Sequence, residues 1–416
     1  MKQIKLLIAK IPGFKIIGLC TAAAVIFWIA VIGHYYNKSK ELEIQQFQEY
    51  MRQHADEQAQ QAATVEGAQD SLKFEKETHR KMAEFYMERK QYKSAIPHFE
   101  RVIERNNIMF LEDNKDFCLS LAEAYINARR MPDAIALLNR LREVMPEEAR
   151  ILQRLAEACF YSGDRTQAAE DLREALKKDP KNTASMILLA RIYSIDDHTR
   201  KDIPDLLKKA ISINPRDLQG YYYYGVYLSD RGEYTPAEEN FKAALKLEPF
   251  HSPSLARLGM VYYYGGNVQK AKEMYELTLS INKTDYNTMY NLGELYLTSL
   301  NDPVNAYVWF RKSAELEPTH FPAIKKLGVL ALNNRNYKEA CFWFEKGEAL
   351  RNLDKKYTEE KITTDAELVD ILIMHGTALE SLGRKEDAKI MLRKALDEDP
   401  LNQIARHKLQ LLQLNG

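Results

Sequence analysis

Cysteine is scarce in this sequence, with four residues in a chain of 416. Cys20, Cys118, Cys159 and Cys341 stand far apart, and no two of them form a CxxC pair. This spacing argues against a disulfide framework and against a cysteine-based zinc site. The apolar pattern around Cys118 and Cys159 predicts that both are buried free thiols.

An excess of charge of either sign is also absent. The 59 lysines and arginines balance the 59 aspartates and glutamates, so the formal net charge is zero. A general nucleic-acid-binding protein needs a basic field over the phosphates, which a neutral chain does not supply. We therefore expect no nucleic-acid partner.

The sequence contains none of the common catalytic or cofactor motifs. It has no GxxxxGK[ST] phosphate loop, the segment GYYYYG lacks the GxGxxG spacing, and there is no GxSxG nucleophile elbow. The nine histidines form no HExxH motif or other ligand spacing. His375 falls at a packing position of the last repeat described below, which predicts a core histidine with satisfied hydrogen bonds. We predict a non-enzymatic protein with no catalytic residues, no metal and no cofactor.

One stretch near the N-terminus lacks charged residues altogether. Ile16–Tyr35 contains no Asp, Glu, Lys or Arg, and as a helix it would extend about 30 Å, the thickness of a bilayer core. A cleaved signal peptide is the alternative, but the apolar run is longer than a usual signal-peptide core and no A-x-A site follows it. We predict a short cytoplasmic tail at 1–15 and a transmembrane helix at 16–36.

Positive charge is more frequent before this span than after it. Lys38 and Lys40 follow the span and are offset by nearby acidic residues, whereas four lysines and no acidic residue precede it: Lys2, Lys5, Lys10 and Lys15. This distribution favours an N-in orientation. We predict a single-pass protein of the bacterial inner membrane whose body lies in the periplasm.

The most prominent feature of the sequence is a repeat of about 34 residues. Small and bulky residues recur at that spacing, as in Tyr221, Tyr224, Gly225, Leu228, Gly232, Ala237, Phe241, Ala244, Pro249 and then Leu255, Leu258, Gly259, Tyr262, Gly266, Ala271, Tyr275, Thr278, Lys283. We count nine units, which begin near Lys76, Lys115, Ala149, Thr183, Leu218, Ser252, Tyr286, Phe321 and Val369. Each unit has two helical-period stretches separated by a short polar turn. Because no unit can bury its apolar side alone, the units are expected to stack.

This pattern resembles the tetratricopeptide repeat (TPR) family over residues 76–402. The resemblance implies an all-α fold, a superhelical solenoid of about nine helix–turn–helix repeats. Residues 403–416 are predicted to form a capping helix with Ile404, Leu409 and Leu412 facing the last repeat. The polar segment 37–75 is predicted to form a helical stalk, with weak self-association as the lesser alternative. The insertion at 355–368 is predicted to lengthen the helices or to form a mobile loop.

In this family the first helix of each unit lines a concave groove, and a partner segment usually lies along it. The resemblance therefore implies a partner-binding groove formed by Phe160, Tyr161, Ile187, Arg191, Tyr222, Val226, Met260, Tyr263, Tyr264, Tyr290, Glu294, Leu297, Lys325 and Val329. This mostly apolar composition suits a hydrophobic helix or an extended segment of a partner protein. It does not suit the two-carboxylate clamp of some relatives, because Val329 stands where an asparagine is needed. The alternative is that these side chains pack between neighbouring repeats.

The run of tyrosines in LQGYYYYGVYLSDRGEY (Leu218–Tyr234) raises the same choice within one helix. Helical period directs Tyr221 and Tyr224 into the packing of their own repeat. It directs Tyr222 towards the groove and places Tyr223 near the rim. Only the Tyr222 side of the helix is therefore expected to bear on function.

The resemblance implies a membrane-anchored scaffold or adaptor for protein–protein interactions in a cell-envelope machine. Relatives of this architecture serve in motility, secretion or envelope assembly, and a flagellar-motor or secretion scaffold is the preferred specific role. A periplasmic holdase-type chaperone is one alternative. A cytoplasm-facing regulator of envelope biogenesis is another, although such regulators end in paired CxxC motifs that this sequence lacks.

Overall fold

The structure is a computed structural model that describes residues 65–103, 107–197, 200–357 and 365–414. The predicted cytoplasmic tail (1–15), the predicted transmembrane helix (16–36) and the first part of the predicted stalk lie outside the described residues. Within the described ranges, no helix combines the length and the apolar character that crossing a membrane requires.

The described residues form twenty helices and no strand, which confirms the predicted all-α class. In chain order they are α1 (Val65–Glu88), α2 (Tyr92–Val102), α3 (Ile108–Asp113), α4 (Lys115–Asn127), α5 (Met131–Val144), α6 (Ala149–Ser162), α7 (Arg165–Lys178), α8 (Thr183–Asp196), α9 (Asp202–Ile213), α10 (Leu218–Asp230), α11 (Tyr234–Leu247), α12 (Ser252–Tyr264), α13 (Val268–Ile281), α14 (Tyr286–Thr298), α15 (Pro303–Leu316), α16 (Phe321–Asn333), α17 (Tyr337–Tyr357), α18 (Asp365–Ser381), α19 (Lys385–Glu398) and α20 (Gln403–Leu414).

Most helices pack in hairpins, each made of a first and a second helix joined by a short turn. The hairpins include α1 with α2, α6 with α7, α10 with α11, α12 with α13, α14 with α15, and α18 with α19. The first helices α4, α6, α8, α10, α12, α14 and α16 begin at the residues where the sequence repeat places the start of a unit. The hairpin is therefore the structural unit of the repeat.

Prolines set where the second helices stop. The helices α5, α7, α9, α11, α15 and α19 each end two residues before a proline. A steric clash with the proline ring disfavours helical backbone angles for the residue that precedes it. Asp179, for example, has φ −126° and ψ 90°, an extended conformation that redirects the chain into the next unit.

Glycines on the first helices allow the two helices of a hairpin to approach closely. A Cβ atom on Gly225 would lie 2.8 Å from the ring of Phe241, which is fully buried on α11. Gly259 stands in the same relation to Tyr275, at 2.6 Å. Each aromatic ring therefore occupies the space that a first-helix side chain would otherwise fill.

Three elements depart from the regular repeat. α1 begins at Val65 and crosses the predicted boundary between stalk and array at Lys76, and the short α3 occupies the extra residues between the first two units. The long α17 extends to Tyr357 and α18 begins at Asp365. Part of the predicted insertion at 355–368 is thus helical on both sides, and residues 358–364 lie outside the described residues.

The chain divides into two compact units, Met1–Asp133 and Ala134–Gly416. In the described part of the first unit, Phe99, Leu111, Leu121 and Tyr125 form a fully buried core. In the second unit, buried aromatic and aliphatic residues of α15 to α20 form one continuous cluster. The hairpins of α6 to α19 therefore bury their apolar sides against one another, as stacked repeats require.

Two details of the apolar pattern were predicted wrongly. Ile404 of α20 is 61% exposed, and Ala405 takes the inner position together with Leu412. Ala405, Leu409 and Leu412 lie on one helical stripe, and Ile404 lies one residue, or about 100°, away from it.

His375 is the second case. Its ring is 3% exposed, yet neither ring nitrogen has a hydrogen-bond partner, and the nearest carboxylate oxygens, of Glu345 and Glu348, are 3.9 and 4.0 Å away. The predicted burial of His375 is confirmed, but the predicted hydrogen bonds of its ring are absent within the described residues. Position in the repeat determines burial, whereas a hydrogen bond also depends on which neighbour reaches the ring.

The cysteine prediction is confirmed. Cys118 and Cys159 are buried free thiols, and Cys341 is a third. Burial raises the pKa of Cys118 and of Cys159 to about 11. Both thiols are therefore protonated and unreactive near neutral pH.

Candidate functional site

The first helices of the second unit form a line of neighbours. α6 contacts α8, α8 contacts α10, α10 contacts α12, α12 contacts α14, and α16 contacts α18. We use the name first-helix face for the side of this line that carries the predicted groove residues. Of those fourteen, all but Ile187 are partly or largely exposed; Ile187 is 5% exposed.

Ile187 packs within the second unit. A Cβ atom on Gly220 would meet its Cδ1 atom at 3.9 Å. Ile187 is therefore buried in the interface between α8 and α10 and is not part of the exposed face. The remaining predicted residues divide into four groups.

An arginine surrounded by aromatic rings occupies the part of the face formed by α6, α8 and α10. The guanidinium carbon of Arg191 lies 4.6 Å from the ring centre of Phe160, 5.9 Å from that of Tyr161 and 5.4 Å from that of Tyr223. Such distances are those of cation–π contacts. We call Phe160, Tyr161, Arg191 and Tyr223 the arginine cluster.

Tyr222 lies partly in the packing of its hairpin. Its ring centre is 6.1 Å from that of Phe241 on α11 and 5.4 Å from that of His251, which precedes α12. Tyr290 repeats this arrangement with Phe310 at 5.4 Å and His320 at 5.2 Å. Each of these tyrosines therefore has one side in the hairpin and one side on the first-helix face.

Tyrosines of α12 form the centre of the face. The hydroxyl groups of Tyr263 and Thr298 are hydrogen-bonded at 2.8 Å, which links α12 to α14. Tyr264 is 59% exposed and stacks on Tyr234 with ring centres 5.8 Å apart. Val226 and Met260, both half-buried, lie on the neighbouring first helices α10 and α12. This part of the face presents mainly aromatic and aliphatic surface.

Ion pairs connect the first helices at the C-terminal part of the face. The ammonium nitrogen of Lys326 lies 2.9 Å from Glu294, and that of Lys325 lies 2.9 Å from Asp370. Burial, with the Glu294 carboxylate nearby, raises the pKa of Tyr290. The charges of this part are thus compensated within the chain, and Leu297 and Val329 lie among them.

The structure adds Tyr223 and Lys326 to the residues predicted for this face. Tyr223 is half-buried against Arg191 and Tyr222, and burial raises the pKa of its hydroxyl. Its position next to the predicted Tyr222 was a signal, but the approach of α8 to α10 is needed to bring Arg191 to its ring. Lys326 likewise follows the predicted Lys325.

A cleft of about 660 Å³ opens near the first-helix face. Leu297 is its only member among the predicted groove residues, and its other lining residues are Pro303, Val304, Tyr307, Val308, Arg311, Leu330, Ala331, Asn333, Asn334 and Glu339. Val304 is 73% exposed at its rim. In the described part of the chain, no group of three or more His, Cys, Asp or Glu residues could hold a metal ion.

Models of the tetratricopeptide repeat match residues 86–158, 149–182, 252–285 and 369–400. These ranges lie within the predicted array and correspond to helical hairpins of the structure. The chain therefore contains tetratricopeptide repeats, as its residue pattern predicts.

Curated relatives include photosystem I assembly proteins. Ycf3 of Synechococcus sp. (strain CC9605) is 33% identical over 97 residues, which are 22% of this chain and 56% of the relative. Ycf3 of Prochlorococcus marinus (strain MIT 9303) is 31% identical over 105 residues, 24% of this chain and 61% of the relative. The chain thus spans little more than half the length of these relatives. Anaphase-promoting complex subunit 3 of Schizosaccharomyces pombe is 23% identical over 188 residues, 44% of this chain and 27% of that protein.

Solved structures with a similar fold include YrrB, described as a TPR protein with an unusual peptide-binding site. It is 24% identical, with 49% of this chain and 97% of that chain covered and a TM-score of 0.38. PilF of Pseudomonas aeruginosa is 20% identical, with 54% of this chain and 96% of that chain covered and a TM-score of 0.42.

Proposed function

We propose that this tetratricopeptide-repeat chain is a non-enzymatic scaffold that binds segments of partner proteins along the first-helix face. The observation that carries the proposal is the exposure of that face. Tyr161, Tyr263 and Tyr264 remain partly or largely exposed on it, whereas Phe241, Tyr275, Phe310 and Phe344 of the second helices are buried. Large exposed apolar surfaces with a few polar groups are typical of protein-interaction sites.

The contacts across the face support a preformed binding surface. The Tyr263–Thr298 hydrogen bond and the Lys326–Glu294 ion pair hold neighbouring first helices together without covering the aromatic rings. A preformed surface loses little conformational entropy when a partner binds. A hydrophobic helix or an extended segment of a partner is the occupant that this composition favours.

Assembly of a larger complex in the cell envelope is the process we propose. Two of the relatives are assembly proteins of photosystem I, and the apolar segment 16–36 has the length of a membrane span. In this proposal the segment anchors the chain in a bacterial inner membrane, and the repeats face the periplasm. Motility, secretion and envelope assembly are the candidate processes.

Site-specific crosslinking in cells tests the scaffold function. A photo-crosslinking amino acid replaces Tyr263 on the face, and the matched control carries it at Glu276, an exposed position of α13. We expect one or two defined partners from position 263 and none of these from position 276. A broad set of unfolded proteins at position 263 would support the holdase instead, and identical products at both positions would contradict a binding face.

A reporter that is active only in the periplasm, fused after Gly416, tests the proposed location. An active fusion is expected because the lysines before residue 16 favour an N-in orientation. The control fusion lacks residues 1–36. Activity of a cytoplasmic reporter at Gly416 would reverse the proposed topology and favour the cytoplasm-facing regulator.

A further inference from the structure

Arg191 differs from the other basic side chains of the first helices in the described part of the second unit. Arg150, Arg154, Arg257, Lys325 and Lys326 each have a carboxylate oxygen within 3.3 Å. Arg191 has neither an ion pair nor a hydrogen bond within the described residues. Its charge is therefore not compensated by a neighbouring carboxylate.

The surroundings of Arg191 leave its polar edge open. The rings of Phe160, Tyr161 and Tyr223 contact the guanidinium without accepting its hydrogen bonds. The residue is half-buried, and its nitrogens are not among the buried polar atoms that lack a partner, so they reach solvent. A guanidinium offers parallel N–H donors that match the two oxygens of a carboxylate.

The acidic residue of α6 does not compensate the charge of Arg191. Glu157 binds Arg154 at 2.9 Å. On α10, Asp230 is engaged by Arg257 at 3.3 Å. The first-helix face at the arginine cluster thus carries one positive charge without a carboxylate partner in the described part of the chain. Val226, about one helical turn beyond Tyr223 on α10, and Met260 on α12 supply half-buried apolar surface on the same face.

We propose that the arginine cluster binds a single carboxylate side chain, an aspartate or a glutamate, in a partner segment whose neighbouring residues are apolar. The inference rests on the proposed function and specifies the partner's chemistry. Aromatic rings around the guanidinium exclude water from its faces, which strengthens an ion pair formed at its edge. The adjoining apolar residues of the partner then lie against Val226 and Met260.

Selection from a phage-displayed random dodecapeptide library tests this inference. The bait is the full-length chain in detergent micelles, compared with R191Q and with R257Q as the matched control, since Arg257 already pairs with Asp230. Wild type and R257Q are expected to enrich peptides with Asp or Glu beside apolar residues. R191Q should enrich apolar peptides without the acidic position.

A synthetic copy of the most enriched peptide supplies the quantitative measurement. Replacing its acidic residue by the isosteric amide should weaken binding to wild type about 10- to 100-fold, the range for a hydrogen bond to a charged group. The same replacement in the peptide should change binding to R191Q less than about twofold, because R191Q has already removed the guanidinium charge with which the acidic residue pairs. R191K keeps the charge but not the planar fork, and should recover only part of the effect.

The outcomes separate this inference from the proposed function. Two outcomes would overturn the carboxylate site and leave the proposed scaffold function intact. In the first, wild type enriches apolar peptides that have no acidic position. In the second, R191Q enriches the same acidic peptides as wild type. Failure of wild type to enrich any peptide would count against both. Circular dichroism and melting temperature of R191Q, expected to match wild type, show that the fold is unchanged.

Discussion

Single residues determine how closely the two helices of each hairpin approach. Gly225, Gly259 and Gly293 each face an aromatic ring of the second helix at less than 3.0 Å from an added Cβ atom. Phe241 and Phe310 are fully buried in these contacts. The glycine and the aromatic ring therefore form one packing pair, and a larger residue in place of the glycine requires the ring to move.

Replacing Gly225 by leucine is expected to destabilise the second unit by about 1–3 kcal/mol, because the added side chain overpacks the hairpin against Phe241. Thermal unfolding followed by circular dichroism measures the effect. Q269L, at an exposed position of α13, is the control and should melt as wild type does. Equal melting temperatures for G225L and Q269L would contradict the packing.

His375 is a second residue whose surroundings have a consequence for stability. Burial lowers its pKa, and this effect exceeds the opposing influence of Glu345 and Glu348 on α17. Arg384 and Lys394 lower the pKa further. The folded state therefore favours the neutral ring, whereas the unfolded chain takes up a proton near the ordinary pKa of about 6.5.

The protein is expected to lose stability as the pH falls below about 6.5, because the unfolded state then binds a proton that His375 in the fold does not. Melting temperatures at pH 7.5 and pH 5.5 measure this loss in wild type and in H375L. The decrease should be smaller in H375L, since other histidines contribute equally to both proteins. Equal decreases would show that His375 does not titrate on unfolding.

At the scale of elements, the turn between the two helices of a hairpin uses one left-handed residue. Gly163, Gly232, Gly266 and Gly383 fill this place in four units, with φ between 75° and 98°. Lys90, Asn301 and Arg335 fill it in three others, with φ between 50° and 59°. The turn geometry is thus retained even where the residue is not glycine, at a cost in backbone strain.

Replacing Arg335 by glycine is expected to stabilise the protein by about 0.5–1 kcal/mol. The left-handed conformation costs an L-residue about 1–2 kcal/mol, and the greater freedom of glycine in the unfolded chain offsets part of the gain. The reciprocal variant G232R should be destabilised, because Gly232 has a left-handed backbone conformation with φ 75°. A Cβ atom at this position would contact no other atom within 4 Å, so the loss of stability reports on the backbone alone. Chemical denaturation measures both, and changes of the same sign would refute the explanation.

For the second unit as a whole, stability is the sum of hairpins and of the contacts between neighbours. Its last element, α20, covers α19 with Ala405 and Leu412, both buried. Leu409 packs partly against the same core. The final hairpin therefore depends on α20 to keep its apolar side out of water.

Deleting residues 403–416 should lower the free energy of unfolding by at least about 2 kcal/mol, the value of one buried leucine. The exposed side of α19 should also increase the binding of a hydrophobic fluorescent dye. I404S is the control, because Ile404 is 61% exposed and its replacement should leave stability and dye binding unchanged. Equal stability of the truncated and full-length chains would contradict the capping role.

Much of the fold could be predicted because repetition amplifies weak local signals. One glycine or one proline indicates little, but Pro180, Pro215 and Pro249 at a common spacing mark the ends of successive second helices. The family resemblance, carried onto this sequence, placed thirteen of the fourteen groove residues at partly or largely exposed positions. It missed Ile187 because a single helix does not show how closely its neighbour packs at Gly220.

By itself, the sequence determined the helical hairpins and the starts of seven of the nine units, Lys115 to Phe321, since these follow from contacts between residues near in the chain. Only the tertiary structure decided that Tyr222 lies partly in its hairpin while Tyr223 meets Arg191. It also decided that Arg191 has no carboxylate near it in the described residues whereas Arg257 and Lys326 do. These outcomes depend on distances between side chains of different repeats, which packing sets and periodicity does not contain.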